Sequence, residues 1–354
     1  MATSNDCLRL VLLLTLLAAL CMCISHSPPR ARGVDGVSAR ATQQIAAMPD
    51  EWSWVHVSDA DALQWSGRFG RRLVAGTYAS KVVNQHSSGW CGCCYMMCVL
   101  QMLQDRLNIL LVTRNPLIQT AYPMSLFDAQ LALDTYNQHH ERPGWNACKG
   151  GDPMHIMHEI EADRLPLKLA HKNQSEWHGC PCAAGGEKTV SFEQRVNIGE
   201  YGLLAADPAR VQQEILEFGP VVLGVNAQCM NDDSIATRHG MIDVNIAGPR
   251  NHAVTVVGWR HVDNEQHEPT PCWIVRNSWG ESKSPSALPD NLNCVATGKN
   301  ECAAAVQLHE WMGDPHARGY VYIPVDHKPL LVPPSPWMYG RISEESVLAR
   351  PDVE

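Results

Sequence analysis

Four cysteines, Cys91, Cys93, Cys94 and Cys98, fall within eight residues of the stretch "NQHSSGWCGCCYMMC", Asn84 to Cys98. Cysteines this dense can ligate zinc, form disulfides, or attack a carbonyl as a thiolate. Structural zinc sites draw paired cysteines, two to four residues apart, from two segments. Four ligands at one helix start would be strained, and zinc would leave two downstream residues without a role. Those residues are His252 in "NHAVTVVGW", 158 residues beyond Cys94 (252 − 94), and Asn277 in "RNSWG", 25 residues further on (277 − 252). A cysteine, a distant histidine and a later asparagine suit nucleophilic catalysis. A thiol at a helix N-terminus feels the positive end of the helix dipole and ionises more readily. The histidine takes and returns its proton, and the asparagine holds the imidazole in orientation. Cys91-Gly92-Cys93-Cys94-Tyr95 fits the local pattern C-G-[SA]-C-[WY] around such a nucleophile, with Cys93 in place of the usual small residue.

With these motifs in order, the chain resembles the papain family of cysteine proteases. The resemblance implies a two-lobed α+β fold, a helical lobe plus an antiparallel sheet lobe with the active-site cleft between them. Cys94 would lie on the helical lobe, facing His252 and Asn277 on the sheet lobe. It gives Gln85 the role of oxyanion-hole glutamine, alongside the backbone N–H of Cys94. It also pairs Cys91 with Cys148 of "CKGG" and assigns the glycines Gly150 and Gly151 to substrate binding. Trp279 would shield the His252–Asn277 hydrogen bond from water. No metal and no organic cofactor is implied.

Five residues, His86 to Trp90, separate Gln85 from Cys91, where most family members have two. The lengthened segment, beginning with His, resembles the cathepsin X (cathepsin Z) subfamily. "MPDEWSW", "DRLNI", "EYGLL" and "WIVRNSWGE" resemble it as well. The inserted loop there obstructs the primed side of the cleft, and its histidine reads the substrate's terminal carboxylate. Carried over, that role falls to His86, with Trp90 beside the first cysteine and Trp279 lining the first primed subsite. A charge-assisted bond from histidine to carboxylate is sound chemistry at acidic pH. The implied activity is trimming of single C-terminal residues, on peptides or proteins with free C-termini. Two other readings stand: a papain-like endopeptidase or carboxydipeptidase, and a catalytically weak homologue serving in binding or adhesion.

The elements that must position these residues can be read in outline. Apolar residues at Met97, Leu100, Leu103, Leu107 and Leu110 predict a helix from Cys94 to Leu111. Further helices are expected at Met154–Ile160 and Pro208–Phe218, the latter ended by Gly219-Pro220. Short β-branched and aromatic runs predict strands at Val221–Ala227, His252–Trp259, Cys272–Trp279 and Gly319–Val325. Helices lead and strands follow, as in an α+β protein.

The chain has 354 residues and a formal net charge of −9, which argues against nucleic acid as a partner. Arg9 and the apolar run Leu10–Ile24 read as a secretory signal over residues 1–25; an uncleaved anchor helix is the alternative. No later stretch is apolar enough for a span, so no stable membrane insertion is expected after signal removal. Residues 26–47 read as a short pro-segment, 48–323 as the peptidase domain with an insertion at about 282–318, and 324–354 as a proline-rich tail. Removal of the signal takes three of 14 cysteines and leaves 11, an odd count that requires a thiol. Cys180, Cys182, Cys294 and Cys302 are further disulfide candidates, the last two within the insertion. Asn173 heads a glycosylation triplet. Together these features point to the secretory pathway, ending in a lysosome-like compartment or outside the cell.

Overall fold

A computed structural model describes residues 48–85, 91–121, 129–140, 146–165, 167–168, 195–227, 241, 249–263, 267–280, 319–331 and 335–343. Strand β1 (Trp52–Ser53) leads into helix α1 (Asp59–Phe69), long helix α2 (Cys94–Arg114), α3 (Ala129–His139), a 3-10 turn at Ala147–Lys149 and α4 (Pro153–Glu161). Short strands β2 (Leu167–Lys168) and β3 (Arg195–Val196) pair as a separate ribbon. Then follow β4 (Ile198–Leu203), α5 (Pro208–Phe218), β5 (Val221–Val225), β6 (His252–Asp263), β7 (Pro269–Arg276), β8 (Tyr320–Pro324), α6 (Lys328–Leu331) and β9 (Trp337–Ile342). The main sheet runs β4-β9-β5-β6-β7-β8, with β1 also on β6, and every pairing in it is antiparallel.

Local chemistry sets the helix starts. Asp152 and Asp207 each precede a proline, and their side chains accept from the N–H two residues on, Met154 at 3.0 Å and Ala209 at 3.1 Å. Proline at the first helical position forfeits only a donor that had no partner there. The start of α2 lacks such a cap, a difference with a consequence for Cys94.

Two apolar cores flank α2. One gathers the aromatic residues Trp52, Trp54, Trp65, Tyr78, Trp259, Trp273 and Trp337 under the sheet and takes Ile109 and Val112 from the end of α2. The other takes Met96 to Leu107 from its beginning, with Leu133, Tyr136, Ile156 and Met157. Helix α2 is therefore buried on all sides rather than along one stripe. Its polar residues find partners within the protein. Arg106 donates to the Pro220 carbonyl at 2.8 Å and to Glu214 at 2.9 Å, and Asn108 donates to the Tyr78 carbonyl at 2.8 Å. Asp105 pairs with Arg276 at 2.6 Å, both fully enclosed. Buried polar groups left unpaired would each cost about 1–3 kcal/mol, so these bonds fix how the helix sits against the sheet.

The expected helices and strands are present within a few residues of their predicted ends. The stretch after Ile323 differs from the sequence reading. There, Pro333, Pro334 and Pro336 suggested a tail, yet Trp337–Ile342 lies between β4 and β5 in the sheet. Proline density masked an aromatic strand: Trp337, Met338, Tyr339 and Ile342 are all buried. The proposed signal, pro-segment and insertion lie outside the described residues, as does the end of the tail.

Candidate active site

Cys94 is the first residue of α2. Cys93 occupies the N-cap position at φ −91°, ψ 17° and provides no side-chain cap. The first N–H groups of the helix are thus open to the Cys94 sulfur. Burial is the largest influence on the thiol and pushes its pKa up; the backbone N–H groups of Ala253, Tyr95 and Cys94 itself pull it down. Ala253 follows His252 at the start of β6, so the sulfur lies against the strand end that carries the histidine. A thiolate in this partly buried place calls for a positive partner, and protonated His252 can be that partner.

The imidazole is oriented from two sides. Its Nε2 lies 2.9 Å from Asn277 Oδ1, an oxygen that also accepts the Ser278 backbone N–H at 2.8 Å. An amide oxygen can only accept, so the proton sits on Nε2, and Nδ1 is the nitrogen able to exchange a proton with a thiol. Trp279 stacks on the ring at 4.8 Å between centroids, tilted by 27°. It covers the imidazole and leaves the His252–Asn277 bond in a place of low water access.

Gln85 is held just as tightly. Its backbone N–H donates to the Ser278 carbonyl at 2.8 Å, its Nε2 donates to the Cys91 carbonyl at 2.7 Å, and its Oε1 accepts from the Ser278 hydroxyl. These partners decide which end of the amide is nitrogen. One Nε2 hydrogen serves Cys91, and the amide nitrogen carries a second hydrogen able to donate. Gly280, at φ +90°, lets this strap pass: a Cβ there would stand 2.9 Å from the Asn84 side chain.

Cys91 and Cys148 form the disulfide that the family resemblance implied. With Cys91 so engaged, the four-cysteine zinc reading falls. Gly92 donates to the Cys148 carbonyl at 2.8 Å, tying the loop before the nucleophile to the segment that carries Gly150 and Gly151. Gly151 packs on Tyr95, where a Cβ would come within 2.4 Å of the ring. Cys93 and Cys98 remain buried thiols. His86, Trp90, Asn173, Cys180, Cys182, Cys294 and Cys302 lie outside the described residues.

The structure thus brings together Gln85, Cys94, His252, Asn277 and Trp279. Sequence reasoning gave no role to Ser278, Asp105 or Arg276. Ser278 orients both Gln85 and Asn277, and its only signal was its place inside "RNSWG". Arg276, adjacent to Asn277, donates to Asp105 and to the Ser80 carbonyl at 2.7 Å. An arginine within the apolar strand "CWIVRNSW" was the available sign that a buried acid lay opposite.

A thiol at an uncapped helix start, an oriented imidazole and a fixed amide donor, set on an α+β frame, are the groups that thiol-dependent hydrolysis would need. Residues 71–287 match the profile of "Papain family cysteine protease". The chain belongs to that family and has a papain-like fold. It is 23% identical over 240 residues to a cathepsin Z of Onchocerca volvulus, covering 66% of each chain. It is 26% identical over 204 residues to cathepsin O of Homo sapiens, covering 53% of this chain and 54% of that one. The match thus spans just under two thirds of the first relative and about half of the second. A procathepsin L2 structure from Tenebrio molitor aligns with 84% of this chain and 69% of its own at 14% identity and TM-score 0.47.

Proposed function

We propose that the protein is a thiol-dependent carboxypeptidase that removes single residues from free C-termini. Cys94 is the nucleophile and His252 its acid and base. Asn277 orients the ring, and Gln85 with the Cys94 N–H receives the oxyanion. Attack of the thiolate on the scissile carbonyl gives a tetrahedral oxyanion. Collapse expels the C-terminal residue as its amine takes the proton from His252, leaving an acyl-enzyme that water, deprotonated by His252, resolves.

The carrying observation is where the five-residue segment His86–Trp90 is anchored. Gln85 is fixed to Ser278 and Cys91 at one end, and Cys91 is bonded to Cys148 at the other. The residues on both sides of this segment thus belong to the site, and its first residue in the sequence is a histidine. The similarity to a cathepsin Z supports the same reading. A secretory or lysosome-like setting is supported by the Cys91–Cys148 disulfide, since such bonds persist in oxidising compartments.

The test compares one peptide with a free and an amidated C-terminus, the products being identified by mass. His86→Ala should slow trimming of the free form by about tenfold to a hundredfold more than cleavage of the amide, the worth of one charge-assisted hydrogen bond of about 1.5–3 kcal/mol. Gln85→Ala should slow both alike, by about 10²–10³, because the oxyanion forms whatever the terminus. Equal slowing of both peptides by His86→Ala would leave a papain-family peptidase without carboxylate recognition.

A further inference from the structure

Away from Cys94, three side chains that no catalytic step uses converge at the end of α3 and along α4. His140 follows the last residue of α3. His155 and Glu159 lie four residues apart on one face of α4. His140 Nε2 is 3.2 Å from Glu159 Oε2, and His155 Nε2 is 3.9 Å from Glu159 Oε1. The three ligand atoms lie within 4.8 Å of one another. The two imidazoles stand 5.3 Å apart at 65°, with Tyr136 packed on both, at 4.5 Å from His140 and 5.9 Å from His155.

We propose that His140, His155 and Glu159 form a binding site for a divalent transition-metal ion of the zinc class, separate from the peptidase centre. Two imidazoles and a carboxylate are a ligand set that zinc accepts, with a fourth position left to water. Bonds of about 2.0–2.1 Å in a tetrahedron put ligand atoms about 3.3 Å apart. His140 is already at that distance from Glu159; His155 has to come closer, and its side chain, 43% exposed, has room to turn.

Arg164 decides whether the carboxylate can serve. Its Nε and Nη2 donate to Glu159 Oε2 and Oε1 at 2.9 and 2.7 Å. A carboxylate has about four lone-pair positions, and this fork uses two. The remaining two face His140 and His155, so the guanidinium acts as the outer partner that orients a ligating carboxylate. A bound ion would tie the end of α3 to α4, the helix that begins two residues after Gly151.

The experiment titrates the full chain with zinc against a chromophoric chelator, after alkylation of Cys94 so that the Cys94–His252 pair cannot bind the ion. One zinc per chain is expected, and X-ray absorption should show nitrogen and oxygen neighbours without sulfur. His155→Gln, at a half-exposed position, and His140→Gln should each weaken binding by about tenfold or more. Neither should change the circular dichroism or the rate of Cys94 alkylation. Three results would overturn the proposal: zinc bound equally by wild type and a variant carrying both His140→Gln and His155→Gln, sulfur among the neighbours of the ion, or no uptake at all. No zinc uptake by wild type would reduce the cluster to an ion-pair network, and the assignment of the peptidase site would stand regardless.

Discussion

The Asp105–Arg276 pair is the strut by which the nucleophile's helix holds the strand end bearing Asn277, and breaking it should be costly in a specific way. Both residues are fully enclosed. Asp105 accepts from Arg276 Nη2 at 2.6 Å and from the Ser80 N–H at 2.7 Å. In Asp105→Asn the guanidinium stays buried without its counter-charge, and removal of one partner of such a pair costs about 3–5 kcal/mol. With a urea dependence of about 3 kcal/mol per molar, the unfolding midpoint should fall by about 1 M or more. Replacing both charges, as Asp105→Leu with Arg276→Met, strands no charge; the Ser80 groups and the Tyr320 hydroxyl lose a partner, yet exchange of a buried ion pair for apolar side chains of similar volume is often neutral or stabilising. The double variant should therefore be more stable than the single one. Its activity should nonetheless drop about tenfold or more at temperatures where it is fully folded, because the residue beside Asn277 no longer anchors to α2 and small displacements of catalytic groups are expensive. Urea unfolding followed by tryptophan fluorescence, with single-turnover hydrolysis on the same preparations, measures both quantities. A single variant with the wild-type midpoint, or a fully active double variant, would refute the strut.

Cys94→Ala should abolish hydrolysis while Cys93→Ser preserves much of it, since the Cys94 sulfur meets the backbone N–H of Ala253, the residue after His252; active-site titration with a thiol-specific inhibitor reads this directly. Loss of the Cys91–Cys148 bond, which closes a loop of 57 residues, should cost about 4 kcal/mol on the chain-entropy estimate and lower activity through the Gly92–Cys148 hydrogen bond; Cys148→Ala unfolding and turnover test it. The Glu159 carboxyl, held by the Arg164 hydrogen bonds at about 2 against an ordinary 4.5, contributes stability that is complete above pH 4.5 and is lost as pH falls toward 2. Over that window the stability of Glu159→Gln should change less with pH than that of wild type in acid-unfolding curves.

The candidate catalytic residues stood out in the sequence because each sits in a short motif, and the motifs follow one another in the order that the family resemblance implies. Cys94 follows Gly92 and Cys93 at a helix start. His252 opens a β-branched strand, and Asn277 ends one. The family resemblance supplied the Cys91–Cys148 pairing, which spacing alone could not have chosen among the cysteines. The strand at Trp337–Ile342 was hidden because prolines just before it outweighed its aromatic residues in a local reading. The depth of α2 was hidden for a related reason: Gln101, Asp105, Arg106 and Asn108 interrupt the apolar pattern and look like a solvated face.

Those interruptions hold the site together. The nucleophile belongs to one core and the Asn277 strand to the other, so apolar packing alone would let the two halves slide against each other. Hydrophobic contact is non-directional, whereas a buried ion pair or amide bond has one acceptable geometry. The polar residues of α2 supply that geometry: Asp105 to Arg276, Arg106 to Pro220 and Glu214, and Gln101 to Thr255, three residues after His252. The Ser278 hydroxyl does the same for the oxyanion donor on the facing segment. Each is costly to bury and of small net benefit to stability. Their arrangement is best understood as fixing the distance from Cys94 to His252, and substitutions among them should disturb turnover more than their distance from the sulfur would suggest.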